Sequence, residues 1–232
     1  MAKTFMAIGG HIGDMELTAG CVLAHQAVHG DKIITVALTA GERGNPKGMS
    51  VSDYRVQKVN EAKEFATMLG GESIVFDYPD GELPNDEKVR FEVAALIRKY
   101  RPDVIFTHWK DSMHKDHSTT HEIVVDASFF AGIDVGDKLE GDRHYAPVYF
   151  CENWEDRENF DPYLIVDCSD GYELWCEAIK KHWFIMNSPS FRYYDYYTHL
   201  TFVRGALGKY KHAQCFNVKG YQKFLKVSFV EK

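Results

Sequence analysis

The stretch Phe5-Met6-Ala7-Ile8-Gly9-Gly10-His11-Ile12-Gly13-Asp14-Met15-Glu16 opens with four apolar residues, too few for a helix, and then meets two glycines. That pattern predicts a buried strand feeding a loop. Asp14 can cap the helix that follows. Leu17, Cys21, Ala24 and Val28 recur at helical spacing on one face, and Gly30 ends the run. Working outward, residues 33–38 repeat the strand signal. A polar loop with Gly41, Gly44, Pro46 and Gly48 follows. A helix begins at Ser52 or Asp53, turns Val59, Ala62, Ala66 and Leu69 to the core, and stops at Gly70-Gly71. Residues 73–76 read as a third strand, 85–100 as a helix broken before Pro102, and 104–107 as a fourth strand. Strands alternating with helices in this rhythm predict an α/β, Rossmann-like three-layer fold with a mainly parallel sheet.

The second half is less regular. Helices are expected over 118–130, capped by Ser118, over 170–186 and over 194–207. Strands are expected over 148–151, 164–167 and 223–230. No linker or repeat divides the chain, so 1–232 is expected to be a single domain. A chain of 232 residues with 45% hydrophobic and 26% charged residues is ordinary for a packed globular protein. A net charge of −7 argues against nucleic acid and anionic membrane as partners. Five cysteines, Cys21, Cys151, Cys168, Cys176 and Cys215, contain no C-x-x-C pair and read as reduced, buried thiols. With no leader and no long apolar run, membrane insertion is not expected and the cytoplasm is the expected location.

In open α/β sheets the functional crevice lies beyond the carboxyl ends of the strands. Two of those ends are rich in metal-competent side chains: His11 to Glu16 after the first strand, and His108-Trp109-Lys110-Asp111-Ser112-Met113-His114-Lys115-Asp116-His117 after the fourth. In a doubly wound sheet these strands are neighbours, so the loops should face each other. Two imidazoles and one carboxylate from separate loops suit a catalytic divalent cation, zinc above all, with a position left for water. His11, Asp14 and His117 are the expected ligands. His25, His29, His121, His144, His182, His199 and His212 read as surface or core residues.

At these residues the chain resembles the PIG-L or LmbE-like de-N-acetylases, whose pattern is A-H-x-D-D-x-E after the first strand and H-x-D-H after the fourth. Here the segments stand as Gly10-His11-Ile12-Gly13-Asp14-Met15-Glu16 and His114-Lys115-Asp116-His117. Leu38-Thr39-Ala40-Gly41-Glu42 resembles the family's L-T-x-G-E loop, and Asp80-Gly81-Glu82-Leu83 its D-G-x-L segment. Arg101-Pro102-Asp103-Val104-Ile105-Phe106-Thr107-His108 resembles its lead-in through strand four. The likeness is good over 5–135 and loose beyond. It implies a zinc-dependent hydrolase that removes an acetyl group from an N-acylated amino sugar or related small metabolite. It also implies His114 as the group that steadies the oxyanion, Asp116 as the residue that holds a histidine or the metal shell, and frequent homo-oligomers.

Two departures stand out. The first Asp of the family's D-D pair acts as general base, and Gly13 occupies that place. A substrate-contacting Arg is replaced by Lys58, with Arg55 one turn earlier. Loss of a general base slows a reaction by about 10²–10⁴. A slow or redirected enzyme is therefore expected, with Glu16, Glu42 or Asp116 as replacement bases. The alternative is a catalytically retired relative that binds a small molecule or carbohydrate. Trp109, beside the histidine loop, is the expected pocket wall. The aromatic run from Phe191 to Tyr197 reads as core or subunit-interface packing.

Overall fold

A computed structural model describes residues 2–223. Strands β1 (Thr4–Gly9), β2 (Lys32–Thr39), β3 (Glu72–Tyr78), β4 (Val104–Thr107), β5 (Val148–Cys151), β6 (Leu164–Asp167) and β7 (Ala213–Val218) form one seven-stranded sheet in the order β3-β2-β1-β4-β5-β7-β6. The first five strands run parallel. β7 is antiparallel to both its neighbours. The fold is thus α/β with a mixed, mainly parallel sheet.

Alternation along β1 sets the layers. Phe5 and Ala7 face one side, where they pack with α1 (Asp14–Thr18), α2 (Gly20–Val28), α6 (Tyr172–Ile179) and α8 (Tyr193–Gly208). Met6 and Ile8 face the other side, against α4 (Glu87–Tyr100) and α5 (Lys115–Gly132). On the α4–α5 side the buried Arg98 guanidinium donates to the carbonyls of Phe130, Ala131, Ile133, Leu139 and Gly141. That satisfies the end of α5, where helical carbonyls lack partners. The remaining helices are α3 (Val51–Met68), capped by the Ser50 hydroxyl on the Asp53 N–H, and the short α7 (Trp183–Asn187).

Several boundaries differ from expectation for identifiable reasons. The first helix is capped by Gly13, and Asp14 is its first residue. It breaks at Ala19, where Gln214 takes over: its amide donates to the Leu17 carbonyl and accepts from the Val22 N–H. Val28 is mostly exposed, so the apolar face ends at Ala24. α5 starts three residues before Ser118, because the His114 imidazole serves as its cap by accepting the Asp116 N–H. The helix expected over 170–186 is two, α6 and α7, separated by an extended His182. β7 was not anticipated. The strand expected over 223–230 lies outside the described residues, except for Lys223, which ends a 3-10 turn.

Candidate metal centre and active site

β1 pairs directly with β4, so the loops after them meet. The Gly10 N–H donates to His108 Nε2 at 3.0 Å, tying one loop to the other. Around this link His11, Asp14 and His117 come together. Asp14 Oδ2 lies 3.1 Å from His11 Nδ1 and 3.3 Å from His117 Nε2. His108 Nε2 stands 3.1 Å from the same oxygen. His11, His114 and His117 each offer a ligand atom within 4.8 Å of the others, as do Asp14, His108 and His117.

The outer contacts orient these rings. Asp156 Oδ1 is 3.1 Å from His117 Nδ1, and its Oδ2 is 3.1 Å from His108 Nδ1. A carboxylate on the far nitrogen of an imidazole fixes its tautomer and turns the other nitrogen's lone pair inward, the arrangement that supports histidine ligands. Asp80 Oδ1 and Asp116 Oδ2 stand 3.1 and 3.4 Å from His11 Nε2 in the same way. Asp116 also accepts the Gly81 N–H, and Asp80 accepts the Arg43 N–H.

The electrostatics favour positive charge at the centre. Burial opposes ionisation of Asp14, but His117 and His11 beside it hold its carboxyl well below the usual carboxylate range. Burial also opposes charge on His117, yet Asp14 and Asp156 push it up to about 9. Burial opposes ionisation of Asp156 as well, and hydrogen bonds from His108 and His117 hold it far below its ordinary value. Carboxylates and imidazoles gathered in this way could hold a divalent cation.

The cluster forms one wall of a cavity of about 410 Å³, shared with Gly41, Arg43, Lys58, His114, Glu155, Phe184 and Tyr193. His114 accepts the Asp116 N–H on Nδ1 at 3.2 Å, which leaves Nε2 as the ring's donor. Burial lowers its pKa, so the ring is neutral. Gly13 has φ +108°, and a Cβ there would lie 2.5 Å from the Phe184 ring. The space for a side chain at that position is therefore filled by α7.

Other expected residues are placed elsewhere. Trp109 packs against His121, Phe150 and Phe160 and donates to the Glu158 carbonyl, away from the cavity wall. Arg55 is spent on Asp77, Glu42 and the Phe76 carbonyl. Lys58 does line the cavity. Of the replacement bases, Glu16 accepts the Gly13 N–H, and burial pushes its carboxyl up to about 7. Glu42 accepts the Asp80 N–H. Neither lines the cavity, and nor does Asp116. Part of the aromatic run has a positioning role: the Tyr197 hydroxyl donates to Asn153 Oδ1 at 2.7 Å, and Phe191 stacks on Trp154. These contacts hold the loop that carries Glu155 and Asp156.

Sequence reasoning missed Glu155, Asp156, Phe184 and Tyr193, and gave no role to His108. One signal was present for Asn153-Trp154-Glu155-Asp156. It follows the carboxyl end of β5, which neighbours β4.

Comparison with known proteins bears on the family and the fold. The pattern of the PIG-L family, GlcNAc-PI de-N-acetylase, matches residues 6–128. The diacetylchitobiose deacetylase of Thermococcus kodakarensis is 27% identical over 192 residues, covering 78% of this chain and 69% of the relative. Among solved structures, the 4-carboxy-2-hydroxymuconate hydratase of Pseudomonas putida superposes with a TM-score of 0.85 at 21% identity, covering 99% of this chain and 100% of that one. The N,N'-diacetylchitobiose deacetylase of Pyrococcus horikoshii gives 0.81 at 20% identity, covering 98% and 88%. At those identities the two structures speak for the fold alone. The family pattern spans more than half of the chain, and by that measure this protein belongs to the PIG-L family of GlcNAc-PI de-N-acetylases.

Proposed function

We propose that this chain is a divalent-metal-dependent amidohydrolase, with zinc as the metal, that removes an acetyl group from an N-acetylated amino sugar or related small metabolite. The observation that carries it is the contact of Asp14 Oδ2 with both His11 Nδ1 and His117 Nε2, with Asp156 behind His117. Family membership and the sugar deacetylase of T. kodakarensis support the amide as the bond cleaved. The fold by itself does not choose the reaction, since a hydratase shares it.

His11, Asp14 and His117 would hold the cation. When bound it acts as a Lewis acid toward the acyl oxygen and lowers the pKa of water at neutral pH. The chain's own groups do the rest. His114, neutral and protonated on Nε2, donates to the oxygen where negative charge develops. Gly13 brings no carboxylate. Among the cavity's acids, Asp14 serves the cation, and Asp80 is held by the Arg43 N–H beside His11. Glu155 remains, with its carboxylate 3.5 Å from His117 Nδ1 and no backbone hydrogen bond to it among the described residues. We assign it as the group that takes a proton from water and returns it to the leaving amine. Among the described residues no helix is long and apolar enough to cross a membrane. We infer a cytoplasmic location for this activity.

The test is metal analysis of the purified chain together with acetate release from a panel of N-acetyl sugars. One metal per chain and acetate release, both lost in Asp14→Ala, are expected. A stoichiometric metal with no acetate from any compound would overturn the hydrolase.

A further inference from the structure

The chain has two buried cations on its α3 and α4 helices, and it treats them differently. Arg98 is satisfied by five carbonyls. Lys58, only 4% exposed, has no hydrogen bond and no ion pair within 4.0 Å among the described residues. Its ammonium stands 4.5 Å over the Phe184 ring and 5.7 Å from the Tyr54 ring. It lies so close to Gly41 that a Cβ there would be 2.8 Å from Nζ. The ammonium is also part of the cavity wall that carries His11 and His117. A charge out of water without an anion is costly, and aromatic faces offset only part of that cost.

Among the described residues no carboxylate comes within ion-pair distance of Lys58. The ring that lies under Nζ also fills the space beside Gly13. The ring leaves no room for a side-chain carboxylate at position 13. Asp14, Asp80, Glu61 and Glu16 act on Lys58 only from beyond ion-pair distance. Arg43 adds a second positive group at the rim of the same cavity, steadied by Glu82.

We propose that Lys58 is the seat of an anionic group on the substrate, a carboxylate or a phosphate ester, so that the enzyme acts on an acidic N-acyl metabolite rather than a neutral sugar. The assignment rests on the hydrolase reading of the same site. A cavity of about 410 Å³ accommodates a monosaccharide-sized molecule together with such a group.

The test uses the metal-loaded chain and three probes that share an acetamido sugar: N-acetylglucosamine, N-acetylmuramic acid with its carboxylate, and N-acetylglucosamine 6-phosphate. Succinate and inorganic phosphate serve as simple anions. Binding is read by calorimetry and acetate release in parallel, for the wild type, Lys58→Met and Lys58→Gln. Melting and metal content show that the variants are folded and loaded. At least one acidic probe should bind about tenfold tighter than N-acetylglucosamine or more, and both variants should lose that preference. Whether N-acetylmuramic acid or the 6-phosphate is favoured tells carboxylate from phosphate ester. Equal behaviour of wild type and both variants toward all five probes would overturn the proposal. Lys58-dependent anion binding without acetate release would sink the hydrolase and leave the subsite standing. Acetate release from the acidic probes, no better than from the neutral sugar and undiminished in both variants, would do the reverse.

Discussion

Replacing Gly13 with alanine imposes two separable costs. The backbone there sits at φ 108°, ψ −25°, a conformation that disfavours any residue with a Cβ by about 1–2 kcal/mol. The new methyl would also lie 2.5 Å from Phe184 Cε1 and Cζ, and forcing such an overlap adds about 1–3 kcal/mol. Gly13→Ala should therefore lose about 2–5 kcal/mol of stability. The second cost depends on one ring. Phe184→Ala has its own cost in lost packing and lost contact with Lys58, yet in the double variant the overlap disappears. Urea unfolding of the wild type, the two single variants and the double variant closes a cycle. Its coupling should recover about 1–3 kcal/mol, while the backbone cost persists. A coupling under about 0.5 kcal/mol would mean that the ring does not fill this space and does not bar a carboxylate from position 13. The same geometry forecasts that Gly13→Asp alone gains no acetate release. Any gain should require Phe184→Ala beside it.

Other outcomes follow from the outer contacts of the site. Asp156→Asn should weaken metal binding about 10–100-fold, read by competition with a chelator, because His117 and His108 lose the carboxylate behind them. Glu155→Gln should lower kcat by about 10²–10⁴ with metal content unchanged, and an unchanged kcat would remove Glu155 from the proton transfer. Burial pushes His182 down to about 3, against about 6.5 in an unfolded chain. Between those values the unfolded chain takes up a proton that the folded chain refuses. This contribution is thus fully present above about pH 6.5 and is lost on acidification, by up to about 1.4 kcal/mol per pH unit. Unfolding measured from pH 7 to 4 should show His182→Leu losing less stability than the wild type, and parallel curves would contradict the burial.

The first half of the chain was legible because each strand there is followed by its helix. The proposed ligands stand in the two loops that a parallel sheet brings face to face, and adjacency of β1 and β4 could be inferred from order alone. The helix carrying the H-x-D-H run was misjudged by three residues because its cap is a histidine, and sequence rules look for a hydroxyl or carboxylate. The second half resists for a different reason. β7 pairs between β5 and β6 from far along the chain, and no local pattern announces such a partner. Glu155 and Asp156 sit in an irregular loop whose position depends on Tyr197, 41 and more residues away by its bond to Asn153. Phe184 reaches the cavity from a helix of only five residues. Side chains placed by tertiary contacts of this kind leave little trace in periodicity.

The place of β7 in the sheet also bears on how the site comes into being during synthesis. His11, Asp14 and His117 leave the ribosome early, in a stretch whose parallel strands can pair in order of emergence. Of the described strands, the interior one that separates β5 from β6 arrives last. Until it slots in, the far edge of the sheet stays open and the turn after β5 has little to rest on. A nascent chain thus carries the proposed ligands before Asp156 and the strand that supports its loop, so firm capture of a cation would belong to the finished fold.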